Sequence, residues 1–233
     1  MHDNDKRALR SPGAESPATE KGGVGVPTSE RKRARQSPAH RLMNSLRKVH
    51  IPAIDNPRST SIYLAIGEVT LAGDYAEFGV YRGGSARFIH TLMFGDRKLH
   101  LFDSFEGLPE DWTDAKKAGT FKLASDEIPN FNPRRTVVHK GWFKNTVPAW
   151  AKTMDRPLAF VHMDADLYSS TVDVLFNIDK LVTKGTVILF DEYVFGAEDH
   201  EHRALTDWAQ KYHRQFEYLW RTTGPQVCIR ITV

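Results

Sequence analysis

The stretch YAEFGVYRGGSA, Tyr75–Ala86, constrains this fold more than any other part of the chain. A short apolar run ends in an acidic residue and a glycine, then opens through Arg82-Gly83-Gly84-Ser85 into an amphipathic segment, which is the pattern of a strand turning tightly into a helix. Gly79, Gly83 and Gly84 let the backbone take positive φ and let a ligand come close. The helix that follows would aim its free N–H groups at that ligand. Such a turn is a ligand cradle.

The segments that follow alternate between strand and helix patterns. Tyr75–Val80 predicts a strand, Gly83–Phe94 a helix, and Lys98–Phe102 a second strand closing on Asp103. Thr136–His139, Leu158–Met163 and Thr186–Phe190 predict further strands, the last two running into Asp164-Ala165-Asp166 and Asp191-Glu192-Tyr193. Between them, Val174, Leu175, Ile178, Leu181 and Val182 share one helix face. A last helix carries Ala204, Leu205, Trp208, Ala209 and Tyr212, and the runs Phe216–Trp220 and Gln226–Thr232 pair as a hairpin around Gly224-Pro225. This order implies an α/β, Rossmann-like doubly wound, mostly parallel sheet with a C-terminal antiparallel hairpin.

Composition sets the domain plan. A chain of 233 residues suits one ordinary domain with appendages. Residues 1–40 are rich in Ser, Pro, Gly and charge and lack apolar periodicity, so they read as a disordered basic tail. The run ERKRAR, Glu30–Arg35, is weakly specific and reads as part of that solvated tail. The tail holds eight Lys/Arg against five acids, leaving 24 of each sign in the rest of the chain. A neutral core predicts no nucleic-acid-binding face. Residues 41–72, with Leu42, Met43, Leu46 and Val49 at helical spacing and a second helical stretch at Ser59–Leu71, predict an N-terminal helical cap on a main domain at 73–233. One cysteine, Cys228, excludes an intrachain disulfide framework, and no run resembles a signal peptide or a membrane span. A soluble, cytoplasmic protein with no membrane partner is expected, and a homo-oligomer is compatible with this reading.

In an open α/β sheet, ligands bind beyond the carboxyl ends of the strands, and here those ends carry polar or acidic residues. Asp103, twenty residues after Gly83, is placed to accept hydrogen bonds from the hydroxyls of a ribose. A dinucleotide site would use Gly-x-Gly-x-x-Gly, whereas this chain has Gly79-x-x-x-Gly83-Gly84 with Glu77 just before it. Glu77 would repel a pyrophosphate and suits the cationic amino-acid end of S-adenosylmethionine. None of the seven tyrosines has a lysine four residues later, so a short-chain dehydrogenase pair is absent.

The segments AEFGVYRGGSA, LFDSFEGLPE, HKGWFKNT, HMDADLYSST and LFDEY, in this order, resemble the macrocin O-methyltransferase (TylF-like) family of class I S-adenosylmethionine-dependent methyltransferases over about residues 58–232. The resemblance implies the seven-stranded class I methyltransferase fold and an O-methyltransferase acting on a hydroxyl of a small molecule, a sugar or glycosylated metabolite. It implies that Glu77, Gly79, Tyr81, Gly83 and Ser85 line the methionine part of the cofactor, with Asp103 and Ser104 at the ribose and Gly141-Trp142 near the adenine. It also implies a magnesium ion on Asp164, Asp191 and Glu192, with Asp164 as general base. Glu192 stands where the family carries Asp, one methylene shorter, which leaves metal dependence open. A cofactor-binding but non-catalytic partner or regulatory protein of the same fold is the alternative.

Other residues have plainer readings. Asp166 is expected to cap the helix that begins at Leu167, with Ser169 and Ser170 in its first turn. His162, inside an apolar strand, reads as a satisfied core histidine, and Cys228 as core. Asp199-His200-Glu201-His202 lacks His-Glu-x-x-His spacing and reads as acids at a helix start, with His200 and His202 kept as substrate contacts. Leu108–Pro133 is long, polar and dotted with aromatics, the profile of a mobile lid.

Overall fold

The computed structural model describes residues 53–54 and 58–233. The tail at 1–40 and the expected helical segment around Leu42–Val49 lie outside the described residues. What is described begins with a two-residue strand β1 (Ala53–Ile54) and helix α1 (Arg58–Gly67). Gly67 closes that helix, short of the Leu71 boundary expected from its apolar residues.

The strand–turn–helix unit is present: β2 (Asp74–Phe78) is followed by α2 (Gly84–Leu92). After it come β3 (Leu99–Asp103), β4 (Thr136–Lys140), α3 (Phe143–Ala151), β5 (Leu158–Met163), α4 (Tyr168–Ile178), β6 (Val187–Phe190), α5 (His200–Tyr212), β7 (Phe216–Thr222) and β8 (Val227–Ile231). The sheet runs β1-β7-β8-β6-β5-β2-β3-β4. Contacts from β6 to β4 are parallel, and β8 pairs antiparallel with both β6 and β7. Seven strands form the expected class I methyltransferase sheet. β1 adds a short eighth along the outer edge of β7, where it covers otherwise unpaired backbone groups.

The central strands read as unbroken apolar runs because helices cover both faces. Phe78, Phe102, Met163, Ile188 and Phe190 face α3, α4 and α5, where Trp150, Val174, Leu175 and Trp208 complete one core. Tyr75, Leu101, Phe160 and Leu189 face α1 and α2, with Ile62, Ala65, Ala86 and Ile89. Cys228 is buried in this second layer, as expected of a core thiol. Among the described residues no helix is long and apolar enough to cross a membrane.

Strand order reverses between β2 and β5, so the crevice at their carboxyl ends is the switch point where such sheets bind ligands. The backbones of Gly79 and Asp164 approach closely there. The Asp164 N–H donates to the Phe78 carbonyl at 2.9 Å, and the Gly79 N–H donates to the Phe102 carbonyl at 3.0 Å. Gly79 has φ +96°, and a Cβ on it would lie 1.9 Å from the Asp164 carbonyl oxygen. Only glycine fits, because any side chain would push Asp164 out of position. We expect Gly79→Ala to cost on the order of 3 kcal/mol, read as a lowered urea midpoint. An unchanged midpoint would show that β2 and β5 can part at this point without penalty.

Candidate active site

A cavity of about 650 Å³ opens at this switch point, within the size range of small-molecule sites. One part of its wall is built from Gly79, Tyr81, Asp103, Ser104, Gly141 and Trp142. Glu77, Gly83 and Ser85, also expected at the cofactor, are not in that wall. Glu77 is fully buried in the sheet, and Gly83 lies under Phe131, whose ring a Cβ there would meet at 2.6 Å.

Asp103 organises the turn. Its Oδ2 accepts the N–H groups of Val80 and Tyr81, both at 2.8 Å, and its Oδ1 accepts the Phe105 N–H at 2.7 Å. A carboxylate has about four lone-pair sites, so it can hold the loop and still receive a ligand hydroxyl. Ser104 Oγ accepts the Glu106 N–H at 3.0 Å and tightens the next turn. Tyr81, Phe121 and Asp166 line the cavity with left-handed backbone at φ 48°, 72° and 62°. Non-glycine residues hold that conformation only where their surroundings fix it, commonly at binding sites.

The other part of the wall is acidic. Its foundation is a line of buried charges that begins inside the sheet. Glu77 and His162 are neighbours across β2 and β5, and both are wholly buried. Glu77 Oε1 lies 2.9 Å from His162 Nδ1, and Asp191 Oδ1 lies 3.7 Å from His162 Nε2, the latter an ion-pair distance rather than a hydrogen bond. Asp191 Oδ2 takes the guanidinium of Arg58, which also reaches Asp164 Oδ2 at 3.2 Å. The sequence reading had His162 as an ordinary core histidine. It is core, but it is also the cation of a buried triad.

The electrostatics follow from this arrangement. Burial alone would lower the His162 pKa, but Asp191 and Glu77 outweigh it and push it up to about 10. Burial works to raise Asp191, yet the imidazolium and Arg58 beside it keep its carboxyl below the ordinary range. Asp164 goes the other way: burial and the charge of Asp191 raise it well above the usual carboxylate, despite Arg58. Burial followed by Asp191 and Asp164 lifts Glu192 to about 8, and burial followed by Glu192 lifts Asp166 to about 7.

Several expectations change here. Asp166 does not cap α4, whose start has no side-chain cap. Instead it lines the cavity, because its left-handed backbone turns it away from the helix. His200 pairs with Glu198 at 3.1 Å and His202 Nδ1 contacts the Tyr193 hydroxyl at 2.6 Å. Neither lines the cavity. Glu201, read as a helix-start acid, is completely buried and accepts the N–H groups of Ala165 at 3.3 Å and Glu192 at 3.1 Å. It thus ties together the loops after β5 and β6. Arg58 and Glu201 were both missed as site residues, since neither lies in a recognisable motif.

The magnesium ligands implied by resemblance do not form a metal centre. Asp164 and Asp191 converge on Arg58, while Glu192 leaves its Oε2 buried and unpartnered. Among the described residues, no group of three or more His, Cys, Asp or Glu is arranged to hold a metal ion.

Residues 104–135 have neither helix nor strand, but they are not a loose flap. The Leu108 N–H donates to the Thr120 carbonyl and the Gly119 N–H to the Leu108 carbonyl, at 2.8 and 2.9 Å. Leu108, Trp112 and Phe121 form a small core with Leu167. Lys116 Nζ lies 4.1, 5.0 and 5.1 Å from the ring centres of Trp112, Phe121 and Phe195, a cation held against aromatic faces. This ammonium partly opposes the burial-driven rise in the pKa values of Asp166 and Glu192.

Residues 58–215 match the family described as Macrocin-O-methyltransferase (TylF). The chain belongs to the TylF family. It is 32% identical to the 8-demethyl-8-(2,3-dimethoxy-alpha-L-rhamnosyl)-tetracenomycin-C 4'-O-methyltransferase of Streptomyces olivaceus, over 54% of this chain and 54% of that protein. It is 33% identical to the demethyldecarbamoylnovobiocin O-methyltransferase of Streptomyces niveus, over 52% and 53% of the two chains. The chain spans about half the length of these two curated relatives. Among solved structures it resembles CalS11, a calicheamicin methyltransferase (TM-score 0.62, 21% identity, 92% of this chain and 99% of that one). It also resembles the O-methyltransferase NovP (TM-score 0.60, 24% identity, 76% and 80%). Both likenesses show the fold. The TylF match takes in Arg58 and every member of the buried charge line.

That line has a spectroscopic signature. We expect the His162 ring to remain doubly protonated at pH 8, read from its ring nitrogen shifts by NMR, and to titrate near pH 10. Because the folded pKa lies above the unfolded value of about 6.5, its contribution to stability is complete below that pH and is lost as pH rises through the folded value. A neutral imidazole at pH 8 would break the proposed charge order.

Proposed function

We propose that this protein is an S-adenosylmethionine-dependent O-methyltransferase that methylates a hydroxyl of a small molecule, a sugar or glycosylated metabolite. The observation that carries this reading is one cavity whose wall joins the Gly79–Asp103 cradle to the carboxylate of Asp164. The named activities of the tetracenomycin and novobiocin relatives supply the acceptor class.

The residues present suit the cofactor. Asp103 keeps lone-pair capacity for ribose hydroxyls, Tyr81 and Trp142 provide flat apolar surface, and Gly79 brings backbone against the cavity without a side chain. When bound there, S-adenosylmethionine supplies an electrophilic methyl group on sulfonium sulfur. The protein's part is to orient an acceptor hydroxyl and receive its proton.

Asp164 is suited to that task. Its side chain is 15% exposed, at the cavity wall and against Arg58, and its raised pKa makes it a stronger base than an ordinary carboxylate. Asp164 would receive the proton of the acceptor hydroxyl as that oxygen takes up the methyl group.

Two outcomes test this reading. Asp164→Asn should lower turnover by about 10²–10⁴-fold with little change in S-adenosylhomocysteine affinity, measured by product formation and calorimetry. Since a base works only when deprotonated, the acid limb of the wild-type pH profile should lie above the ordinary carboxyl value of about 4. Asp103→Ala should weaken S-adenosylhomocysteine about 10- to 100-fold, the worth of a charge-assisted hydrogen bond. Unchanged affinity in that variant would remove Asp103 from the cofactor.

A further inference from the structure

The place between Asp164 and Asp191 is filled by a side chain. Arg58 is the first residue of α1 and lies more than a hundred residues from both acids in sequence. Its Nη1 stands 3.2 Å from Asp164 Oδ2, its Nη2 stands 3.3 Å from Asp164 Oδ1, and the same Nη2 meets Asp191 Oδ2. The Ser61 hydroxyl donates to the Arg58 carbonyl at 2.7 Å, which fixes the first turn of the helix that delivers the guanidinium. Arg58 also lines the cavity, and its side chain is 46% exposed.

A divalent cation at this point would need carboxylate oxygens converging at about 2.0–2.1 Å in near-octahedral order. Asp191 cannot offer them. Its Oδ2 is held by Arg58, its Oδ1 faces the buried imidazole of His162, and the side chain is only 1% exposed. Among the described residues no group of three or more His, Cys, Asp or Glu, Glu192 included, is arranged to hold a metal ion. The guanidinium, by contrast, fits well. It is planar, permanently charged and has five N–H donors, enough to bridge two carboxylates and still offer a hydrogen bond to a ligand hydroxyl.

We propose that Arg58 is the resident cation of the acceptor site: it takes the place of a divalent ion between Asp164 and Asp191, and it donates to an acceptor hydroxyl next to the one that Asp164 deprotonates. This rests on reading the cavity as the methyl-transfer site. The acceptor class is therefore a compound with two adjacent hydroxyls or a hydroxyl beside a carbonyl, gripped by Arg58 at one oxygen and Asp164 at the other. Turnover is independent of added divalent metal.

Binding of Mn²⁺ to the chelator-treated full chain, followed by electron paramagnetic resonance without cofactor or acceptor, tests the assignment apart from turnover. The wild type is expected to show no stoichiometric Mn²⁺ site at millimolar ion. Arg58→Ala is expected to open one, at least tenfold tighter than anything in the wild type, and Arg58→Ala with Asp191→Asn is expected to lose it. Arg58→Gln, which keeps length and polarity without charge, gives the same reading if the alanine variant does not fold. A stoichiometric wild-type site that disappears in Asp191→Asn would overturn the proposal. So would Arg58 variants that stay as silent as the wild type. If no acceptor is ever turned over, the methyltransferase reading fails while the Mn²⁺ result still decides the role of Arg58.

Discussion

The ion pairs from Glu77 through His162, Asp191 and Arg58 to Asp164 are the interaction on which the site depends. Burying such charges is costly, and a buried pair often stabilises less than an apolar replacement would. Removing one member is a different matter, because it strands its partner in the interior. The line therefore locks relative position more than it adds stability. It starts in β2, crosses β5, passes the end of β6, reaches α1 at Arg58 and returns to Asp164 after β5, so four elements share one electrostatic register. A shift of any of them would leave a buried charge unpaired. The sheet's switch point and the carboxylate that faces the cavity are thereby held as one unit.

Much of this was legible from the chain. Gly79, Asp103 and the acids after β5 and β6 announce themselves because strand ends in an α/β sheet fall on one edge, and local pattern fixes where strands end. The alternation of strands and helices and the terminal hairpin came from the same pattern. What local pattern could not supply was long-range geometry. Glu77 was placed at the cofactor because it precedes the turn, but strand alternation sends it into the α1 and α2 layer beside His162. Asp166 resembled a helix cap by position, whereas its left-handed backbone turns it into the cavity. Arg58 gave no local sign at all, since it begins an ordinary helix and its partners are set by the tertiary fold.

The long segment after β3 shows the same division. Its aromatics and length marked it as functional, while its form could not be read from periodicity it does not have. The structure closes it with backbone hydrogen bonds at Leu108, Gly119 and Thr120 and with a small core on Leu167. Gly107 permits this, for a Cβ there would come within 2.4 Å of the Gly119 carbonyl. The result is a built wall that holds Lys116 over the acids. A loop of this kind orders a charge that the sheet cannot reach.

Cation choice at the acid pair then follows from its neighbours. Asp191 already has an imidazolium on one oxygen, 3.7 Å away and fully buried. A second cation on the other oxygen is repelled by the first, and the repulsion doubles for a divalent ion. Arg58 carries one charge, spreads it over a plane, and shares it between Asp191 and Asp164. It is also tethered to α1, so no ordering of a free ion is needed. What it gives up is Lewis acidity. A guanidinium can orient a hydroxyl but polarises it weakly, so the proposed reaction leaves proton removal to Asp164, whose pKa burial and the charge of Asp191 raise.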